Sequence, residues 1–332
     1  MAYGLAVRNP NTGRMFNLAD VASGMLTFVT KLEFNLAYTT ATSMTFNVLG
    51  GVPESAQIVL IYNVSTAAII APSPYVGVDF VSVTGFTRSG SNLIINFNTK
   101  LDAPGAQQAP LSISVYQTTT FPKISSNSYG IAFFGGTSPQ AITDTIKIGY
   151  VRANAVRSIA ANATINVSDI AGSGDAVFGW WSNPSAVVEM NHADKTISST
   201  AATTLYLTAF GEVPNLTLPK YGLAIWNKSG RLVYSSAHIP FSKVTTKNIG
   251  TGTVDTGVDK PMIPLGRCGY DAINNGLWTI PIRGFTINGR NVGSGRSTRN
   301  QYTSLNTGGA TPNIANYPLP CPILDATLYH NV

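Results

Sequence analysis

Phe285-Thr286-Ile287-Asn288-Gly289-Arg290-Asn291-Val292 sets an Asn-Gly pair between two short segments of alternating character. An Asn-Gly pair in that setting marks a type I′ hairpin, because both central residues of the turn need positive φ. Ser89-Gly90 and Asn275-Gly276 are weaker versions of the same signal. Outward from these turns the dominant pattern has a period of two. Leu32, Phe34 and Leu36 alternate with Lys31, Glu33 and Asn35, and Leu111, Ile113 and Val115 alternate with Ser112, Ser114 and Tyr116. Leu93, Ile95 and Phe97 follow the same rule. Successive strand residues point to opposite faces, so each run offers one face to a core and one to water. Ile58-Val59-Leu60-Ile61-Tyr62 is apolar throughout and fits a strand buried on both faces. One short helix is expected, capped by Asn17 and burying Leu18, Val21, Ala22 and Met25. The fold class expected is all-β: two or three β-sandwich-like domains in series, with few short helices.

Composition agrees and narrows the field. Of 332 residues only 11% are charged, less than half the share in an average domain. The gap is filled by 36 Thr, 28 Ser and 27 Asn. Thirty-two aromatic residues exclude a disordered chain, and four Glu in the whole sequence exclude a coiled coil. The longest apolar run, Ile58 to Ile70, is broken by Asn63, Ser65 and Thr66, so no membrane helix is expected. Met1-Ala2-Tyr3-Gly4-Leu5 has neither the basic nor the apolar part of a signal peptide, which points to synthesis in a cytoplasm. Cys268 and Cys321 are expected as two unpaired, packed thiols, with one bridge between them as the alternative.

The net charge of +6 is unevenly placed. Residues 219–332 hold eleven basic and four acidic side chains, while the rest of the chain is near neutral. Arg283, Arg290, Arg296 and Arg299 lie in this last third, the latter three along a Gly/Ser/Asn/Thr-rich stretch. They are the candidate residues for contact with a partner protein. They lack the interleaved aromatics that base stacking needs, so no nucleic acid is expected. After them Pro318, Pro320 and Pro322 impose an extended, polyproline-like path, either an arm on a neighbouring subunit or a surface loop.

Chemical motifs are sparse. His192, His238 and His330 show no metal-ligand spacing, and no Gly-x-Ser-x-Gly elbow is present. Neither a metal nor a cofactor is expected, and the chain is read as a non-enzyme. Glycoside hydrolysis would need two facing carboxylates, for which Asp169 with Asp175 or Glu189 with Asp194 are the candidates. Trp180-Trp181-Ser182-Asn183 is the one cluster suited to sugar contact: an aromatic face with polar neighbours. Alternation would bury one tryptophan and expose the other, so Trp180 and Trp181 are both candidates.

An internal repeat organises the chain. Tyr3-Gly4-Leu5-Ala6-Val7-Arg8-Asn9 and, after a short turn, Gly13-Arg14-Met15-Phe16 recur as Tyr221-Gly222-Leu223-Ala224-Ile225-Trp226-Asn227 and Gly230-Arg231-Leu232-Val233-Tyr234. Tyr129-Gly130-Ile131-Ala132-Phe133-Phe134 followed by Gly135-Gly136 is a fainter copy. Each reads as strand, tight turn, strand. The copies suggest a β-sandwich domain over 1–120, a middle β domain over 121–218 and a basic C-terminal β domain over 219–332. Thr118-Thr119-Thr120-Phe121-Pro122 and Leu216-Thr217-Leu218-Pro219 would serve as junctions.

This repeated hairpin resembles the opening segment of small structural proteins of tailed bacteriophages, above all minor proteins of the tail tip or tail fibre. Leu111-Ser112-Ile113-Ser114-Val115-Tyr116 resembles a closing strand of the same unit. The resemblance implies a virion component that binds itself as a homo-oligomer, a trimer being one order left open, and binds other virion proteins. Host-surface polysaccharide would be a further contact. It carries no catalytic residue. A carbohydrate- or receptor-binding adhesin is the alternative, and behind it a glycan-degrading enzyme.

Overall fold

The structure is a computed structural model. It describes residues 6–8, 13, 15–17, 25–35, 42–70, 78–98, 107–108, 110–118, 130–133, 140–143, 148–172, 175–213, 215–220, 222–227, 229–271, 273–274, 278–305, 314–315 and 318–332. Among the described residues every regular element is a strand, apart from one 3₁₀ turn at Ala326–Leu328. The chain is all-β, as the alternation predicts.

Four sheets stack with a core between each adjacent pair. The outermost has five strands: Ser43–Asn47, Asn92–Phe97, Val78–Ser89, Thr66–Ile70 and Gln107–Gln108 in spatial order. Beside it lies a three-stranded sheet with Leu111–Thr118 between Leu26–Phe34 and Ile58–Val64. Next come six strands, ordered Tyr150–Ile159, Thr203–Gly211, Ala176–Trp181, Pro261–Pro264, Leu319–Asp325 and Thr245–Ile249. The last sheet has nine strands, built around Val187–Asn191 and the long hairpin of Trp278–Asn288 with Asn291–Leu305.

The two-residue period explains the stack. In Ile58–Val64, Ile58 and Leu60 face the outer core with Val81, Leu93 and Ile95. Val59 and Ile61 face the other way, against Ala176, Phe178 and Phe210 of the six-stranded sheet. The run read as buried on both faces is so because it lies in an inner layer. Ala176–Trp181 repeats the logic: Phe178 joins the second core, whereas Val177 and Trp181 join the third with Val188, Ile197 and Phe285.

Both inner ladders cross the boundary expected at 218/219. Ala176–Trp181 pairs with Pro261–Pro264, and Val187–Asn191 pairs with Trp278–Asn288. Strands from both sides of that boundary therefore build one core, which joins residues between Ala155 and Ile323. The physical reason is burial. Val188 and Met190 of Val187–Asn191 share a core with Val177 and Trp181 from their own side of the boundary and with Ile263 and Phe285 from beyond it. The junction at 216–219 is described as coil with Leu218 exposed; that at 118–122 lies largely outside the described residues.

All three copies of the repeat are hairpins, each a separate two-stranded sheet. Arg8↔Met15 in the first recurs as Trp226↔Leu232 in the last; beyond it a bulge between Ile225 and Trp226 moves the later pairing on by one residue, to Ile225↔Tyr234 and Ala224↔Ser235. The middle copy pairs Gly130–Phe133 with Gln140–Thr143. Gly13 and Gly230, equivalent in the motif, have φ of 71° and 78°, a backbone that side chains with a Cβ rarely adopt.

Other local expectations are modified. The hairpin read at Asn288-Gly289 is present, but Asn288 pairs with Asn291, so the turn centres on Gly289-Arg290. Only Gly289 there has positive φ, at 57°, as in a turn with glycine first. Pairing Ile287 with Val292 puts both in the core and fixes that register. Ser89-Gly90 behaves alike, with Ser89 opposite Asn92; the turn at Asn275-Gly276 lies outside the described residues. Asn17 ends a strand, and the helix expected after it falls at 18–24, also outside them. The prolines near the C-terminus do hold an extended path, but as a paired strand: Leu319–Asp325 is hydrogen-bonded to Thr245–Ile249. Pro320 and Pro322 occupy alternate positions, so their missing N–H donors fall on one edge of the strand and the ladder on the other edge survives.

Candidate functional site

The two tryptophans part as alternation requires. Trp181 is 1% exposed in the third core. Trp180, directly opposite Tyr206 on the neighbouring strand, is half-buried. The two rings lie 5.1 Å apart at 46°, and Lys260 Nζ stands 5.5 Å from the Trp180 ring centre. Trp180 is therefore the member able to meet a ligand.

The four arginines expected to meet a partner are each held by a carboxylate of this chain. Arg283 Nη1 donates to Asp271 Oδ1 at 2.7 Å and Nη2 donates to the Ser294 carbonyl at 3.1 Å. Arg296 Nε donates to the other oxygen of Asp271 at 2.9 Å. Arg299 Nε donates to Glu189 Oε1, and its Nη1 to Thr196 Oγ1 at 2.8 Å. Arg290 lies 3.3 Å from Asp255 and 4.0 Å from Asp259 at the surface. Direct pairing of Arg283 with Arg296 across the long hairpin puts both on Asp271. Burying either carboxylate without cations would be costly, which accounts for the two-to-one grip.

Glu189 is the second such centre. It is fully buried, with Arg299 on one oxygen and Arg267 Nε 3.6 Å from the other. Room for it comes from Gly284, where a Cβ would stand 2.4 Å from the Val188 carbonyl and 2.8 Å from Glu189 Cβ. Arg267 in turn joins the first third of the chain, since its N–H donates to the Asn63 carbonyl and its carbonyl accepts from Ser65 N–H. Sequence proximity pointed to Glu189 as one of a catalytic pair and gave no sign of its partner Arg299, 110 positions away.

The remaining titratable groups are tied individually. Asp194 accepts from Asn191 at the surface and Asp169 pairs with Arg157, also exposed. Asp175 is buried; it accepts from Gly172 N–H at 2.8 Å and lies 3.5 Å from Arg152. Burial raises its pKa, with the Gly172 N–H and Arg152 working against the rise. His192 Nε2 donates to the Leu265 carbonyl at 2.7 Å, and burial lowers its pKa to about 4. His330 bonds Thr208 Oγ1 at 2.9 Å and is lowered to about 4 by burial as well. His238 contacts Thr217. Cys268 and Cys321 are buried, and both line a cavity of about 30 Å³ with Leu60, Tyr62 and Phe285. Burial pushes the Cys268 thiol up to about 12 and the Cys321 thiol up further. Such thiols are poor nucleophiles and poor ligands at neutral pH.

Fold and side-chain placement define an all-β chain of stacked antiparallel sheets, with two buried carboxylates, Glu189 and Asp271, that each hold two arginines. The chain belongs to DUF6453, a family of unknown function, whose profile matches residues 4–306. No curated protein and no solved structure matches it. No helix among the described residues is long and apolar enough to cross a membrane.

Proposed function

We propose that the chain is a non-enzymatic structural component of a tailed-phage virion, placed at the tail tip or fibre, where copies join one another and neighbouring virion proteins. One observation carries the reading. The hairpin that resembles the opening unit of such proteins recurs at 6–17 and 224–235, with Arg8↔Met15 matched by Trp226↔Leu232 and the motif glycine in the same left-handed conformation. Two further features support it. Three arginines of the last third are spent on internal ties, Arg283 and Arg296 on Asp271 and Arg299 on Glu189. The third hairpin and its flanks leave apolar residues at the surface: Trp226 is 47% exposed and Leu218 62%. Two-stranded sheets have unpaired edges and are marginal alone, and contact with a second copy covers both the edges and the apolar residues.

The experiment is sedimentation equilibrium on the purified full chain. The reading expects a discrete multiple of 35.1 kDa. A strict monomer with no affinity for other virion proteins overturns it.

A further inference from the structure

Trp180 belongs to a row that crosses three strands. Val156 is directly opposite Tyr206, and Tyr206 is directly opposite Trp180. Residues opposed in antiparallel strands share a face, so the three side chains form one strip, about 10 Å across at roughly 4.8 Å per strand. Ser158 opposite Thr204 flanks the strip on one side, and Asn154 opposite Thr208 flanks it on the other. Beyond Thr208 the face is sealed by Phe178, Phe210, Phe241 and Tyr329. At the strip it is open: Val156 is 52% exposed, Ser158 and Asn154 are exposed, and Tyr206, Trp180 and Thr204 are half-buried.

Lys260 stands over Trp180 with no carboxylate in ion-pair range among the described residues. Its neighbour Asp259 lies toward Arg290, and Asp325 is occupied in accepting from Thr327 N–H. Arg152 and Arg157, on the edge strand, are already paired with Asp175 and Asp169. His330 packs edge-on against Tyr206 at 5.6 Å and is neutral near pH 7. An aromatic and aliphatic strip, bordered by hydroxyls and an amide and topped by one unpaired ammonium, has the elements of a site for a sugar acid.

We propose that this corner binds a saccharide carrying a carboxylate. The apolar face of a sugar ring lies on Tyr206 and Trp180, with Val156 extending the platform. Ring hydroxyls meet Ser158, Thr204 and Asn154, and the carboxylate meets Lys260 Nζ in a charge-assisted hydrogen bond. The site goes beyond the assembly reading and does not rest on it, because binding is measured on the isolated chain whatever its oligomeric state.

The test titrates the purified full chain with trigalacturonate, 3′-sialyllactose and a hyaluronan tetrasaccharide, with maltotriose as the neutral control, by saturation-transfer NMR and tryptophan fluorescence. At least one acidic probe binds saturably, with a dissociation constant of about 0.1–5 mM, and does so more tightly than maltotriose. Lys260→Met weakens it by about fivefold or more, since it removes the one unpaired charge. Val156→Asp, at an exposed position that leaves the cores intact, abolishes it. Tyr206→Ala removes the platform, with circular dichroism and unfolding curves recorded alongside. The proposal is overturned if none of the three acidic probes binds below about 20 mM. It is equally overturned if maltotriose binds as well as they do, or if Lys260→Met and Val156→Asp both leave affinity unchanged.

Discussion

Glu189→Gln keeps the shape of a side chain with no solvent exposure and removes its charge. In the native protein its two oxygens face Arg299 and Arg267, whose side chains are 21% and 13% exposed. The carboxylate thereby joins three parts of the chain: its own strand, the long C-terminal hairpin, and the Arg267 loop bonded to Asn63 and Ser65. The variant leaves two largely buried cations facing each other with no anion between them. Removing one partner of a buried pair costs about 3–5 kcal/mol; partial exposure of the arginines places the expected loss near the lower end, about 3 kcal/mol. In a chain of this size that corresponds to a fall of roughly 5–10 °C in Tm. Asp169→Asn is the matched control. Its pair with Arg157 is short, at 2.5 Å, but both side chains are about half exposed, so the loss should stay below about 1 kcal/mol. Guanidinium unfolding followed by tryptophan fluorescence, with scanning calorimetry, measures both. If Glu189→Gln unfolds within about 1 kcal/mol of the native chain, Glu189 is not the tie between the three segments.

Gly284→Ala should destabilise by about 2–3 kcal/mol, because its Cβ would meet the Val188 carbonyl at 2.4 Å. Gly85→Ala, with nothing within 4 Å, should be neutral or slightly stabilising; equal denaturation midpoints for the two would refute the packing argument. Stability should also fall on acidification. His192 and His330 are held near pKa 4 when folded, against 6.5 when free, so the unfolded chain takes up protons first. Their contribution is complete above about pH 6.5 and is lost between there and about pH 4, by up to roughly 3 kcal/mol each. Asp175, raised by burial, acts in the opposite sense. A His192→Gln/His330→Gln chain should show a visibly flatter dependence of unfolding midpoint on pH in that window; an unchanged slope would contradict the assignment.

The strands and hairpins were legible in the sequence because alternation and Gly turns are local. Ile58–Tyr62 even announced its inner-layer position, since both of its faces are apolar. The core shared across residues 218 and 219 was not legible. It depends on Ala176–Trp181 meeting Pro261–Pro264, a pairing between segments about eighty residues apart with no local signature. The fate of the arginines was hidden for the same reason. Arg299 and Glu189 are separated by 110 positions, so an excess of basic residues in the last third looked like a surface awaiting a partner. At the candidate sugar site, alternation separated Trp180 from Trp181, but Tyr206, Val156 and Lys260 come together only through strand register and a turn.

Assembly into a virion has a decisive trial in particles released from cells that carry the gene, purified on a density gradient and analysed by quantitative mass spectrometry and immunogold electron microscopy. The chain is expected at a fixed copy number per particle, with label at the end of the tail. Abundant chain in the lysate, with none in purified particles, would contradict a structural role in the virion.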